Sequence, residues 1–229
     1  MNNNHRGRRS MLSGMGAALA AFSLRPRSAQ AQSADAVKPF QPARHTQDEW
    51  MDRLPGKHRT VIDCAAAGAA GTGVFYANNI FTANRNGYQL ADNDVAVIVV
   101  LRHEATVFAY SDAIWAKYGT VLGPMGKITD PRTNQPPTVN PLNSREFGPA
   151  MTNLGVTASA LASRGAHFGI CDMATNRIAG VVATAVKSTQ AEIYKELVAN
   201  LLPNGHMVAA GVVAINRAQE RGYSMLSAG

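Results

Sequence analysis

Asp94-Val-Ala-Val-Ile-Val-Val-Leu101 is the stretch that decides the fold. After its first residue the run is apolar throughout and rich in β-branched side chains. A strand buried on both faces has that composition, and a parallel sheet covered by helices requires such strands. Around it the chain alternates short apolar runs with helical patterns. Residues 58–63 read as a strand before it; 166–171, 205–211 and 222–225 read as three more after it. Helical periods occupy 73–86, 111–118, 152–164, 190–201 and 212–221, with a further short helix over 173–180. In the last long period Val212 and Ile215 share one face while Gln219, Glu220 and Arg221 stay polar, so one side is buried and the other wet. Thr189 with Glu192 three residues on is a capping-box pair opening the helix at Gln190. This alternation predicts a doubly wound, flavodoxin-like α/β fold with a parallel five-stranded sheet and helices on both faces.

One segment breaks the rhythm. Residues 123–149 carry Pro124, Pro131, Pro136, Pro137 and Pro141 before Pro149 itself, with Asp, Asn and Thr throughout. So long an insertion without a periodic pattern points to a lid or a subunit-contact arm rather than to idle disorder.

The N-terminus reads as a targeting segment. Arg8-Arg9 is followed by a short apolar stretch over 11–24 that ends in Ala29-Gln30-Ala31. The pattern is that of a twin-arginine signal peptide over 1–31, which implies export to the periplasm. The stretch is too short and too rich in Gly and Ala for a membrane span, so no stable membrane insertion is expected. The 22 basic and 15 acidic residues give the chain +7, but Arg6, Arg8, Arg9, Arg25 and Arg27 leave with the signal and no acid does, giving +2. No Lys/Arg run remains in the mature chain, which excludes a nucleic-acid partner. Residues 32–57, polar with scattered prolines, read as an extended arm, and 58–229 as one α/β domain. Cys64 and Cys171 are too few for a disulfide scaffold but permit one bridge in an oxidising compartment.

Ligands of open α/β sheets bind outside the carboxyl ends of the strands, and three of those ends carry chemistry. Asp63-Cys64 precedes a glycine-rich stretch containing Gly68, Gly71 and Gly73, which either serves an anion at a helix N-terminus or merely packs helix on sheet. Its Gly-x-x-Gly-x-Gly spacing is not the dinucleotide fingerprint, and the next strand ends in Leu101 rather than in an acid. Arg102-His103-Glu104 follows that strand. His103 is a candidate base or metal ligand, and Arg102 either binds an anion or pairs structurally with Asp63 or Glu104. Cys171-Asp172 closes the third strand. A cysteine at the first turn of a helix has its thiolate favoured by free N–H groups, while Asp172 works weakly against it. The alternative is a buried cysteine acting as a small hydrophobe.

The strand ending Phe168-Gly-Ile-Cys171, the short helix after it, and Leu201-Leu-Pro-Asn-Gly205-His-Met-Val-Ala-Ala-Gly211 through Gln219-Glu-Arg-Gly222-Tyr together resemble the DsrE/DsrF-like family of sulfur-relay proteins, in particular its exported members. The resemblance spans residues 57–225 and is carried mainly by the closing stretch. It implies a flavodoxin-like sheet of order 2-1-3-4-5, assembly into a homotrimer or homohexamer, and a persulfide on a cysteine at the position of Cys171. The twin-arginine signal and the proline-rich insertion depart from the family pattern. In the implied order the first and third strands are neighbours, which would bring Cys64 and Cys171 within bridging range as an oxidisable pair.

These readings converge on a periplasmic protein that binds or relays a small sulfur species, from a sulfur anion or a partner thiol protein, through Cys171. Arg102 and the Gly68–Gly73 turn would hold the anion, and His103 would move a proton; no cofactor is required. Two alternatives stay open. One is a non-catalytic oligomeric assembly protein whose cysteines fill the core. The other is a metal- or haem-binding protein using His103, Glu104 and Cys171, with His167 and His206 expected at the opposite, amino-terminal edge. Covalent c-type haem is excluded because no Cys-x-x-Cys-His is present.

Overall fold

The computed structural model describes residues 40–229; the signal over 1–31 and the arm as far as residue 39 lie outside the described residues. The elements run α1 (Trp50–Arg53), β1 (His58–Cys64), α2 (Ala67–Tyr88), β2 (Val95–Leu101), α3 (Asp112–Met125), α4 (Gly148–Met151), α5 (Ala158–Ser163), β3 (His167–Cys171), α6 (Asp172–Val186), α7 (Gln190–Ala199), β4 (Gly205–Val208), α8 (Gly211–Gln219) and β5 (Ser224–Ser227). All five strands pair in parallel, forming a doubly wound α/β sheet with helices on both faces.

The strand order is β4-β3-β2-β1-β5, not the expected 2-1-3-4-5. The physical reason lies in β2, every residue of which is buried. A strand with no polar side chain belongs in the middle of the sheet, and the central place is the one it takes. The strands with polar or exposed residues, Gly-His-Met-Val in β4 and Ser-Met-Leu-Ser in β5, fall to the two edges.

This order sorts the helices. From β1 to β4 the chain steps one strand at a time in the same direction, and right-handed crossovers then put every connecting helix on one face. Ala70, Phe81, Trp115, Leu161, Ile178 and Leu197 from those helices pack there on Ile62, Val97, Val99 and Phe168. After β4 the chain crosses back to the far edge, and α8 covers the second face. There Ala214, Ile215 and Ala218 meet Val61, Ile98 and Val100.

The arm is not extended throughout. Trp50, Met51 and Leu54 are buried in the second-face core, and three backbone carbonyls of this segment accept from one guanidinium. Arg59 donates to the carbonyls of Met51 (3.2 Å), Leu54 (3.1 Å) and Gly56 (3.3 Å), and the Tyr223 hydroxyl donates to Met51 at 2.7 Å. A single helix leaves part of a five-stranded face bare, and this segment fills the gap.

The 123–149 insertion, whose ends belong to α3 and α4 and which holds short 3-10 turns over Pro141–Asn143 and Arg145–Phe147, is anchored by a buried asparagine. Asn140 is fully buried; its Nδ2 donates to the carbonyls of Phe108 (2.8 Å) and Tyr110 (2.6 Å), and its Oδ1 accepts from Leu142 N at 2.9 Å. Leu142 and Phe147 are buried beside it in the first-face core. The insertion is therefore part of that face. No residue between 123 and 149 lines the cavity at the carboxyl ends of β2, β3 and β4.

Helix ends differ from the periodic reading where glycines or left-handed residues intervene. α2 begins at Ala67, six residues earlier than expected, because Ala67, Ala69 and Ala70, strong helix formers, carry it through Gly68 and Gly71. α5 begins only at Ala158, because Thr152, Leu154 and Gly155 have positive φ. The Thr189–Glu192 capping box is present.

Candidate functional site

The chain leaves β3 toward α6 on the first face and leaves the adjacent β4 toward α8 on the second. Connections that diverge from neighbouring strands open a crevice at the carboxyl edge, where ligands of this architecture bind. A cavity of about 260 Å³ occupies that crevice. Arg102, His103, Cys171, Met173, Arg177 and Gly211 contribute to its lining, with Ala174, Ala210 and Val212 completing an apolar wall.

Arg102 follows Val100 on the second face, and Asp63 follows Val61 on that same face of β1. They form a bidentate pair, with Nε donating to Asp63 Oδ1 at 2.7 Å and Nη2 to Oδ2 at 2.8 Å. The structural alternative for Arg102 is therefore realised with Asp63, although its side chain still lines the cavity. Gly211 makes the arrangement possible. A Cβ there would lie 2.4 Å from Arg102 Cβ, so the arginine stem lies directly against the start of α8.

Cys171 ends β3 and is the N-cap of α6, without a side-chain capping bond. Its residue is 7% exposed, and it lines the cavity. The backbone of Cys171 is held from behind by a buried chain. Tyr110 donates to Thr175 Oγ1 at 3.0 Å, and Thr175 donates to the carbonyl of Cys171 at 3.0 Å. Asp172 turns away toward the α6–α7 seam, where the Tyr194 hydroxyl donates to its Oδ1 (2.5 Å) and Asn176 Nδ2 to its Oδ2 (3.1 Å). The aspartate bond in turn raises Tyr194 to about 12.

Cys64 is in a different environment. It faces the first face, fully buried against α2, and a Cβ at Gly73 would lie 2.3 Å from its Sγ. Burial, reinforced by the charge of Asp63, pushes its thiol far up. The expected Cys64–Cys171 pair does not form, and both cysteines are free. β2 separates their strands, which puts them about 10 Å apart at the ~4.8 Å strand spacing. They also point to opposite faces, so bridging range, up to ~7 Å between Cα atoms, is out of reach.

The glycine stretch is not a turn that cradles an anion. Gly68, Gly71 and Gly73 all lie inside α2. A Cβ on Gly71 would meet the Met151 carbonyl at 1.5 Å, so this glycine and Gly73 serve close packing. Gly68 has open space around it and lines a separate cavity with Glu104 and Lys127. The negative charge at this end of α2 comes from the chain itself. The hydrogen bond from Lys127 (2.7 Å) and, less strongly, the Ala67 N–H hold the Glu104 carboxyl below its usual range.

His103 lines the cavity with its residue exposed, at φ 52°. His167 and His206 lie away from the cavity, as expected. Their rings hydrogen-bond at 2.8 Å (His167 Nδ1 to His206 Nε2), and Trp50 stacks on His206 with centroids 3.9 Å apart. Among the described residues no three His, Cys, Asp or Glu side chains come together as a metal site would require. No described helix is long and apolar enough to cross a membrane.

Arg177, Met173 and Gly211 are the site residues that sequence reasoning missed. Met173 and Arg177 stand four apart in the helix expected after Cys171, hence on one face, and that spacing was the available signal. No family model, curated protein or solved structure matches the chain.

Proposed function

We propose that the protein is a periplasmic carrier of sulfane sulfur that holds it as a persulfide on Cys171. The supporting observation is the division of labour between its two thiols. Cys171 faces a cavity at the divergence of two helices beside Arg102, His103 and Arg177, whereas Cys64 is sealed behind α2. The chemistry needs no added oxidant. The Cys171 thiolate attacks the outer sulfur of a donor R–S–SH, the donor S–S bond breaks, R–S⁻ leaves with the electron pair, and Cys171–S–SH remains. His103, at the rim, is placed to exchange the proton with solvent. Twin-arginine export, a trimeric or hexameric assembly, and a small sulfur anion or thiol protein as partner belong to the same reading.

Incubation with polysulfide followed by intact-mass and peptide analysis tests it: one added sulfur, about 32 Da, is expected on Cys171 and none on Cys64. Failure of Cys171 to gain sulfur while a small alkylating agent still reaches it would reject the carrier role. Cys171→Ala separates the carrier from a purely structural subunit, because a carrier loses sulfur uptake and keeps its assembly.

A further inference from the structure

We infer that the cavity selects its sulfur donor by charge: the donor is a small anion bearing a sulfane sulfur, received by Arg177 and the N-terminus of α8. The inference rests on the Cys171 reading, decides between its two donors in favour of the anion, and adds a receptor the sequence did not reveal.

Three observations support it independently. First, the lining holds Arg102, Arg177 and His103 and no carboxylate. The nearby acids are already engaged, Asp63 by Arg102 and Asp172 by Tyr194 and Asn176. Arg177 makes no ion pair among the described residues, and its exposed side chain sits over the cavity as the uncommitted cation. Second, α8 opens onto the cavity without a side-chain cap. Its first intrahelical bond runs from Ala214 N to Ala210 O, so the N–H groups of Gly211, Val212 and Val213 have no partner within the helix. Gly211 and Val212 line the cavity. Third, Cys171, a residue more than nine-tenths buried, lines the same space, and its thiol makes no hydrogen bond among the described residues. Cation, free N–H groups and thiol therefore converge from three elements.

Size and polarity narrow the class. At about 260 Å³ the cavity lies below the ~300–1,000 Å³ of sites for larger ligands. Its remaining wall is Met173, Ala174, Ala210 and Val212. A compact anion such as thiosulfate, or a short alkyl persulfide anion, fits. In the thiosulfate case the Cys171 thiolate attacks the outer sulfur, the S–S bond breaks, sulfite leaves with the electron pair, and Cys171–S–S⁻ remains, so the total charge is conserved.

The test uses methanethiosulfonates carrying a sulfonatoethyl, a trimethylammonioethyl or a neutral ethyl group. Cys171 labelling in the intact protein is followed by mass, with each rate corrected for the reagent's reaction with a free small thiol. The anionic reagent is expected to label about tenfold faster than the cationic one, with the preference shrinking at high salt. Arg177→Gln should cut the preference to about threefold or less, judged against the neutral reagent. Equal rates for the two charged reagents, or a preference that Arg177→Gln leaves intact, would overturn the charge selection while leaving the thiol reading standing. Labelling by none of the three would remove the Cys171 reading and this inference with it.

Discussion

Replacing Gly211 by Ala gives a change whose sign the cavity geometry fixes against ordinary helix propensity. In a solvated helix, Ala over Gly is worth about 0.5–1 kcal/mol of added stability. Here the new Cβ would stand 2.4 Å from Arg102 Cβ and 2.9 Å from its Cδ. A Cβ has no torsion of its own, so no rotamer of Arg102 relieves the first contact. The start of α8 and the end of β2 must separate by about 1 Å, an overpacking cost of about 1–3 kcal/mol. Partial loss of the Asp63–Arg102 pair, whose side chains are 11% and 27% exposed, adds to it. The expected net result is a destabilisation of about 1–2 kcal/mol in urea unfolding, seen as a lower midpoint at unchanged m. Since α8 forms one wall of the cavity, the same variant should also admit a neutral thiol reagent to Cys171 faster. A Gly211→Ala protein as stable as the wild type, or more so, would refute the claim that Arg102 lies against the helix start.

Other outcomes follow from the same contacts. Asn140→Ala removes three buried side-chain hydrogen bonds and strands two carbonyls, so a loss of about 2–4 kcal/mol is expected by urea unfolding, and a loss under about 1 kcal/mol would contradict the stapling role of Asn140. Burial, with smaller contributions from His167 and Arg53, lowers His206 from 6.5 to about 4, and burial also lowers His167. The unfolded chain therefore binds more protons between these values. The stability due to neutral His206 should be full above about 6.5 and fall away toward 4. NMR titration of the ring should show the depressed midpoint, and a midpoint near 6.5 would reject it. Thiol counting under non-reducing, denaturing conditions should find two free thiols, and in the native protein only Cys171 should react with a maleimide; a single disulfide would contradict the strand order itself.

The sequence made the parallel sheet legible because β2 carries no polar side chain, and the same fact already argued for a central place for that strand. The order implied by family resemblance set this cue aside, and the cysteine pairing fell with it. The cavity itself was half legible. Arg102, His103 and Cys171 follow strands and were found by the rule that ligands gather at carboxyl edges. Arg177 had only its four-residue spacing from Met173 as a cue, and Gly211 belongs to a helix start whose position depends on where β4 stops and on which face α8 takes. Both depend on the crossover from one sheet edge to the other, which leaves no mark in local composition. The glycines of α2 misled for the opposite reason. Glycine in a sequence signals either a special backbone conformation or a close neighbour, and at Gly71 and Gly73 the neighbours are the Met151 carbonyl and the Cys64 sulfur.

The second face also has a bearing on synthesis. Residues 50–54 pack on Val61 together with Ala214, Ala218 and Tyr223, and β1 takes β5 as its outer neighbour. During translation the first part of the domain to emerge thus has its partners in the last. Trp50, Met51, Leu54 and one flank of β1 find Val61, Ile98 and Val100 early but are covered only in part until about 170 further residues have left the ribosome, the separation of Met51 from Tyr223. Contacts so distant in sequence form late and slowly. The nascent chain carries an adhesive apolar strip near its front for nearly the whole of its synthesis. A holding chaperone that shields this strip until the C-terminal strand appears would prevent aggregation at the stage when the chain is most exposed to it.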